Sequence, residues 1–310
     1  MKTNYKKFNR QFYLKKNESM KNHTSFKIGG SADLFALPKS VDELTNLIIT
    51  AEKYNIPVTI IGSGTNLLVK DKGIRGLIIC VTKINTGITI KQIDSKNIFI
   101  EAFAGTLLAS VCKFAMENGL KGFEFATGIP GTLGGAVMMN AGTNLGSISD
   151  VLLCMDIIEK NGKITKIKKN EIIFSEKAFS FNSCLDLKNI IPVILKASFV
   201  LKKGNKEHIR LKINKLLNKR NLTQPILALS AGCFFKNPVS GEKAGKLIEK
   251  AGLKGKRIGN AMVSEKHANF IVNLGNSTAK DILELKAYIQ KKVFQLFSIN
   301  LETEVKIKGE

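Results

Sequence analysis

At 310 residues, with 44% hydrophobic and 24% charged side chains, the chain is long enough to bury a sizeable core and suits two or three domains. No stretch approaches the roughly 18 uninterrupted apolar residues of a membrane span, and residues 1–21 read as a basic leader without the apolar core of a signal peptide, so neither a membrane nor export is expected. A net charge of +23 would by itself suggest nucleic acid, but only five of the 48 basic residues are Arg and the lysines run evenly along the chain, so no nucleic-acid partner is expected.

The first predicted helix follows the capping box Ser40-Val41-Asp42-Glu43, with Val41, Leu44, Leu47, Ile48, Ala51 and Tyr54 at helical spacing. Pro57 then opens the β-branched run Val58-Thr59-Ile60-Ile61, which ends in the glycine-rich turn Gly62-Ser63-Gly64-Thr65-Asn66. A second strand is predicted over 76–81, and the alternation of Ile88, Ile90, Ile93, Ile98 and Ile100 predicts more. Thr106 is placed as the cap of a helix whose buried face carries Leu107, Leu108, Val111, Cys112, Phe114 and Ala115, with Gly119 as its terminator. Residues 119–146 are so rich in glycine that tight loops, and neither helix nor regular strand, are expected there. The runs 151–158, 164–167 and 193–200 read as strands, the first two joined by a two-residue Asn161-Gly162 hairpin turn. A domain boundary is expected near 203. Beyond it, helices are predicted around Ala244–Ala251 and after the Thr278–Asp281 cap, with strands at Phe270–Val272 and Val305–Ile307. The fold class is α+β.

Two glycine loops carry the chemistry. In Gly62-Ser63-Gly64-Thr65-Asn66-Leu67 the small residues let backbone N–H groups converge on an anion, although a bare turn has the same composition. The loop lacks the Lys of a phosphate-binding P-loop, and Leu67 occupies the third glycine position of a dinucleotide fingerprint. Gly128-Ile129-Pro130-Gly131-Thr132-Leu133-Gly134-Gly135-Ala136, followed by Asn140-Ala141-Gly142, is a longer constraint and suits an extended ligand with a pyrophosphate. The five cysteines form no CxxC pair and the three histidines have no partner at ligand spacing, so reduced thiols and no metal are expected.

The ordered motifs GSGTNLL, GIPGTLGGAVMMNAG, AGCFFKNP, SEKHANFIVN and LETEVKIKG, with NHTSFKIGGSADLF before them, resemble the UDP-N-acetylenolpyruvoylglucosamine reductase family over about residues 22–309. The resemblance implies a two-subdomain FAD-binding module of the vanillyl-alcohol-oxidase (PCMH) type, over 22–88 and 89–203, and a C-terminal α+β substrate-binding domain over 204–310. Both glycine loops would then hold FAD. NADPH would reduce the flavin, and a UDP-sugar bearing an enolpyruvyl group would take its hydride. The reduced thiols and the lack of a signal peptide point to the cytoplasm, and a monomer is expected.

The same resemblance assigns the polar roles. Cys233 stands where the family usually has a serine proton donor, and a thiol with an ordinary pKa near 8.5 can give a proton. Glu304 matches the glutamate that acts with the donor. Asn182 stands where the family has an arginine, and an asparagine brings a hydrogen bond but no charge. Lys177, five positions earlier, is a cation that would compensate for the missing charge. Arg220, Gln224, Lys236, Asn237 and His267 match substrate-binding positions. Related flavin proteins with another substrate, and a non-catalytic flavin or nucleotide binder, share the loops alone.

Overall fold

The computed structural model describes residues 7–8, 11–84, 87–92, 97–175, 178–181, 193–239 and 241–310. Along the chain run β1 (Lys15–Ser19), β2 (Ser31–Ala36), α1 (Val41–Lys53), β3 (Val58–Ile61), β4 (Leu67–Val69), β5 (Ile74–Cys80), β6 (Ile88–Gln92) and β7 (Asn97–Phe103). Then come α2 (Leu108–Glu117), β8 (Leu120–Lys121), α3 (Leu133–Met138), β9 (Gly142–Thr143), β10 (Gly146–Ser147), α4 (Ile148–Val151), β11 (Leu152–Ile158), β12 (Ile164–Lys168), β13 (Ile172–Ser175), β14 (Ala178–Phe181) and β15 (Val193–Lys203). The remainder holds α5 (Lys206–Thr223), α6 (Ala244–Lys250), β16 (Arg257–Ile258), β17 (Ala261–Val263), β18 (Ile271–Asn273), α7 (Ala279–Phe297) and β19 (Lys306–Lys308). Two compact units divide the chain by turns: Met1–Leu14, Phe35–Gly62 and Leu77–Asn218 form one, and Lys15–Leu34, Ser63–Gly76 and Lys219–Glu310 form the other.

In the first unit, Ser40 caps α1 by accepting the Glu43 N–H at 3.1 Å, while the Glu43 carboxylate reaches one residue further back than a capping box requires, to the Lys39 N–H at 2.6 Å. The helix buries Leu44, Leu47, Ile48 and Ala51. It leads into β3, which pairs in parallel with Leu77–Cys80 of β5. A six-stranded antiparallel sheet, ordered β12-β11-β15-β7-β6 with β8 on β15, packs Ile100, Ala102, Ile157, Ala197 and Phe199 against Val111, Leu133 and Val137. Each of the large side chains so buried contributes roughly 1.5–3 kcal/mol of transfer free energy.

Three local expectations change. Leu107, not Thr106, is the N-cap of α2, and it is half exposed; the first helical N–H, of Leu108, donates to the Gly131 carbonyl at 3.0 Å, so no side-chain cap is needed. The glycine-rich stretch contains the helix α3, because Thr132 caps it and Gly134 lets it pack on Ala104. The hairpin between β11 and β12 closes on Glu159 and Lys163, with Glu159 accepting the Gly162 N–H and Gly162 at φ +86°. Three residues intervene where two were expected.

In the second unit, β4 and β19 pair in parallel, and β16, β17 and β18 form an antiparallel sheet. The Thr278–Asp281 capping box opens α7 as expected, and the Asp71 carboxylate takes two further N–H groups, of Ala279 at 2.8 Å and Lys280 at 3.0 Å. Around this frame Phe26, Leu68, Phe234, Phe235, Leu247, Ile271, Ile282 and Leu285 form one buried cluster.

Candidate functional site

Gly62, the first residue of the first glycine loop, meets the second loop within the first unit. A Cβ placed on Gly62 would lie 2.2 Å from Thr132 Oγ1, a separation no side chain tolerates, so the end of β3 passes directly against the second loop. Gly134 is likewise required by the protein, since its Cβ would come 2.7 Å from that of Ala104, and Gly142 by the carbonyl of Gly146, also 2.7 Å away. Gly135 is different: it is exposed, and a Cβ there would meet only Thr132 Oγ1, at 3.5 Å. Gly128, at φ +76°, and Pro130 beside it are exposed as well.

The start of α3 is not an anion receptor. Its Leu133 and Gly134 N–H groups donate to the carbonyls of Thr106 and Ala104, both at 2.8 Å, and the Gly135 N–H donates to Thr132 Oγ1 at 3.4 Å. Asn140, placed at the cofactor by sequence, uses both ends of its carboxamide on the protein: Oδ1 accepts the Ser149 N–H at 3.0 Å and Nδ2 donates to the Ser175 carbonyl at 3.4 Å. Ala136 and Ala141 are buried, and Ile129 packs against the core. Gly128 and Gly135 are exposed and Gly131 is partly so, and a flat, extended dinucleotide such as FAD fits these positions, because only backbone and small atoms would meet the ligand.

The rest of the first loop belongs to the second unit. Gly64, at φ +63°, sits so close to the His23 carbonyl that a Cβ would be 2.0 Å from its oxygen, and its own carbonyl accepts the Ser25 N–H at 3.2 Å. Ser63 and Thr65 are partly exposed, whereas Leu67 is buried in β4. Asn66 turns toward the segment that carries Glu304: Nδ2 donates to the Glu304 carbonyl at 3.3 Å, and its own carbonyl accepts the Lys306 N–H at 3.0 Å.

Cys233 and Glu304 are joined through the residue between them in space. The Glu304 N–H donates to the Phe234 carbonyl at 2.8 Å, and both Cys233 and Glu304 are partly exposed. Cys80, Cys112 and Cys154 are buried, and burial pushes the Cys112 thiol up to about 12, so among the described cysteines Cys233 is the accessible one. Arg220, near the end of α5, is partly buried; desolvation draws its pKa down, and the nearby Cys233 opposes that shift.

The remaining predicted residues divide. Lys236 pairs with Glu302 at 3.0 Å and Gln224 is half-buried. Asn237 Oδ1 accepts the Ala244 N–H at 3.2 Å, at the start of α6, so that atom already has a structural partner. Burial holds His267 below its usual pKa, and its Nδ1 accepts the Asn269 N–H at 3.3 Å, which leaves the ring neutral with its proton on Nε2. Asn182 and Lys177 lie outside the described residues, as does Cys184. Among the described residues, no group of His, Cys, Asp and Glu could hold a metal ion, and no helix is long and apolar enough to cross a membrane.

One residue escaped the reading of sequence. Asn269 is buried between Ala268 and Phe270, and its carboxamide bonds both the N–H and the carbonyl of Phe235, at 3.0 and 2.8 Å. Its signal was available: an asparagine set among the apolar residues Ala268, Phe270, Ile271 and Val272.

Comparison with known proteins agrees with this layout. Residues 32–168 match the model of an FAD binding domain, and residues 224–308 match that of the UDP-N-acetylenolpyruvoylglucosamine reductase C-terminal domain. The UDP-N-acetylenolpyruvoylglucosamine reductase of Clostridium kluyveri is 46% identical over 297 residues, 96% of this chain and 93% of that protein. That of Caldanaerobacter subterraneus is 45% identical over 294 residues, 95% and 93% of the two chains. The crystal structure of the Thermus caldophilus enzyme superposes with a TM-score of 0.79 at 32% identity, covering 96% of this chain and all of that one. p-Cresol methylhydroxylase, at 12% identity and a TM-score of 0.51 over 94% of this chain and 87% of its own, shares the fold. The expected FAD-binding module of the vanillyl-alcohol-oxidase type with a C-terminal domain is therefore present, and the chain belongs to the UDP-N-acetylenolpyruvoylglucosamine reductase family.

Proposed function

We propose that the chain reduces the enolpyruvyl group of UDP-N-acetylenolpyruvoylglucosamine to give UDP-N-acetylmuramate, an FAD-dependent step of peptidoglycan precursor synthesis with NADPH as reductant. The observation that carries this reading is the Cys233–Phe234–Glu304 arrangement, in which the Glu304 N–H on the Phe234 carbonyl and the Lys236 N–H on the Glu302 carbonyl tie the donor loop to the glutamate segment, in a stretch that matches the family's C-terminal model. FAD, when bound, supplies the hydride it has taken from NADPH. The chain's own residues do the rest. Cys233 Sγ–H gives its proton to C2 of the enolpyruvyl group as hydride reaches C3, and the thiolate left behind regains a proton from water. Glu304 polarises the enolpyruvyl group, and Arg220 and Lys236 offset the negative charge of the substrate's diphosphate and carboxylate. Gln224, Asn237 and His267 complete the binding set, His267 through its Nε2–H. Asn182 would give the developing oxyanion a hydrogen bond without a cation.

We place the flavin-binding subdomains at 22–88 and 89–203 and the substrate domain at 204–310, and read the enzyme as a cytoplasmic monomer, since NADPH and UDP-sugars are cytoplasmic co-substrates. The test is anaerobic. Purified protein should carry flavin absorbance, NADPH should bleach it, and the enolpyruvyl sugar nucleotide should restore it with a product two hydrogens heavier. A folded protein without flavin, or bleached flavin that the sugar nucleotide leaves unchanged, overturns the reading.

A further inference from the structure

Asn269 is a buried polar residue, 4% exposed, whose side-chain hydrogen bonds both go to one residue of a short segment. Its Oδ1 accepts the Phe235 N–H at 3.0 Å, its Nδ2 donates to the Phe235 carbonyl at 2.8 Å, and its backbone carbonyl accepts the Phe234 N–H at 2.7 Å. That segment is not part of a regular ladder: Cys233 makes an isolated bridge to Phe270, and Phe235 another to Thr303. Where the ladder lapses, the carboxamide stands in for a peptide group, offering one donor and one acceptor at the spacing a neighbouring strand would supply. An apolar residue could pack in the same volume but would strand both polar groups of Phe235 in the core.

The same segment carries the chemistry. Cys233 precedes Phe234, and the Phe234 carbonyl accepts the Glu304 N–H. A shift of Phe234–Phe235 therefore moves the thiol and the carboxylate together.

We propose that Asn269 is a positioning residue for the sugar half-reaction, holding Cys233 and Glu304 in register through the Phe234–Phe235 backbone. The proposal rests on the reading that Cys233 gives the proton. Reduction of the flavin by NADPH uses neither group, so the effect of Asn269 falls on one half of the catalytic cycle.

The experiment uses the FAD-loaded full chain in a Cys184→Ser background, with Asn269→Asp and Asn269→Ser variants. Asn269→Asp keeps the size and the acceptor for the Phe235 N–H but sets a carboxylate oxygen against the Phe235 carbonyl. Asn269→Ser keeps a donor and an acceptor on a shorter arm. Flavin reduction by NADPH should stay within about twofold of the parent, while reoxidation by the enolpyruvyl sugar nucleotide should slow about 30-fold in Asn269→Asp and less in Asn269→Ser. The rate of Cys233 alkylation by iodoacetamide should shift in the same order, a readout independent of turnover. Reoxidation within threefold of the parent overturns the proposal. So does a parallel loss of both half-reactions with loss of flavin, which is what a purely structural residue would produce. Cys233→Ala is measured alongside: reoxidation at the parent rate in that variant sinks the proton-donor reading, and the Asn269 variants then decide separately whether the Glu304 register alone depends on this clamp.

Discussion

Asn66, in the loop that sequence assigns to the cofactor, donates its carboxamide to the backbone carbonyl of Glu304, 238 positions along the chain, at 3.3 Å. The loop and the segment that leads from Glu304 into β19 are therefore mechanically one piece, reinforced by the Lys306 N–H on the Asn66 carbonyl. Asn66→Leu removes the side-chain bond and keeps the backbone one. A single neutral hydrogen bond of this kind is worth about 1 kcal/mol, so the sugar half-reaction should slow roughly fivefold while the protein stays folded. Stopped-flow reoxidation of the reduced enzyme reads this directly.

Gly135 is the glycine of the second loop that the protein does not itself require. Alanine at this helical position should stabilise the flavin-free protein by about 0.4–1 kcal/mol, since glycine loses more chain entropy on folding. The same methyl would occupy the strip left for the cofactor, so FAD should bind about tenfold more weakly, near 1.4 kcal/mol. Thermal unfolding of the apoprotein and flavin-fluorescence titration should move in opposite directions.

Cys233 is the accessible thiol among the described cysteines, with Cys80, Cys112 and Cys154 buried. Iodoacetamide should alkylate it first, and the sugar nucleotide should slow that reaction, as peptide mass mapping will show. Cys233→Ala should cost about 100- to 10,000-fold in the sugar half-reaction, the range for loss of a general acid, and Cys233→Ser should recover most of it.

His267 gives stability a pH dependence of known sign. Burial holds its folded pKa below the value of about 6.5 it has when unfolded, so the unfolded chain binds the extra proton more readily. Its contribution is complete above that value and is lost as the pH falls through the folded pKa. Protonation also takes Nδ1 from the Asn269 N–H. His267→Gln should flatten the fall in urea midpoint between about pH 7 and 5.

Sequence was most legible where one residue decides one thing. Ser40 and Thr278 announced their helices, and the β-branched run before Gly62 announced β3, because caps and strand propensity act over a few positions. It misled where a distant carbonyl took over a local job: the Gly131 carbonyl replaces the cap expected from Thr106, and Ala104 admits a helix through Gly134. The glycines of the two loops looked alike in sequence, yet Gly62, Gly64, Gly134 and Gly142 answer to contacts inside the protein and Gly135 does not. Asn140 and Asn237 were read as ligand groups, and each has side-chain atoms engaged in holding loops and helix starts. Such spent valences are invisible until the partners, far away in sequence, are known.

The pairing of β4 with β19 also sets an order of events during synthesis. Leu67 waits for Lys306, 239 positions later, which at about 5–20 residues per second is roughly 12–48 s of translation. The sheet of the first unit, whose strands lie between those two points, can be complete long before. The loop that precedes β4 is thus left without its far anchor on the nascent chain, and the strand stays exposed in the interval to proteases and to competing pairings.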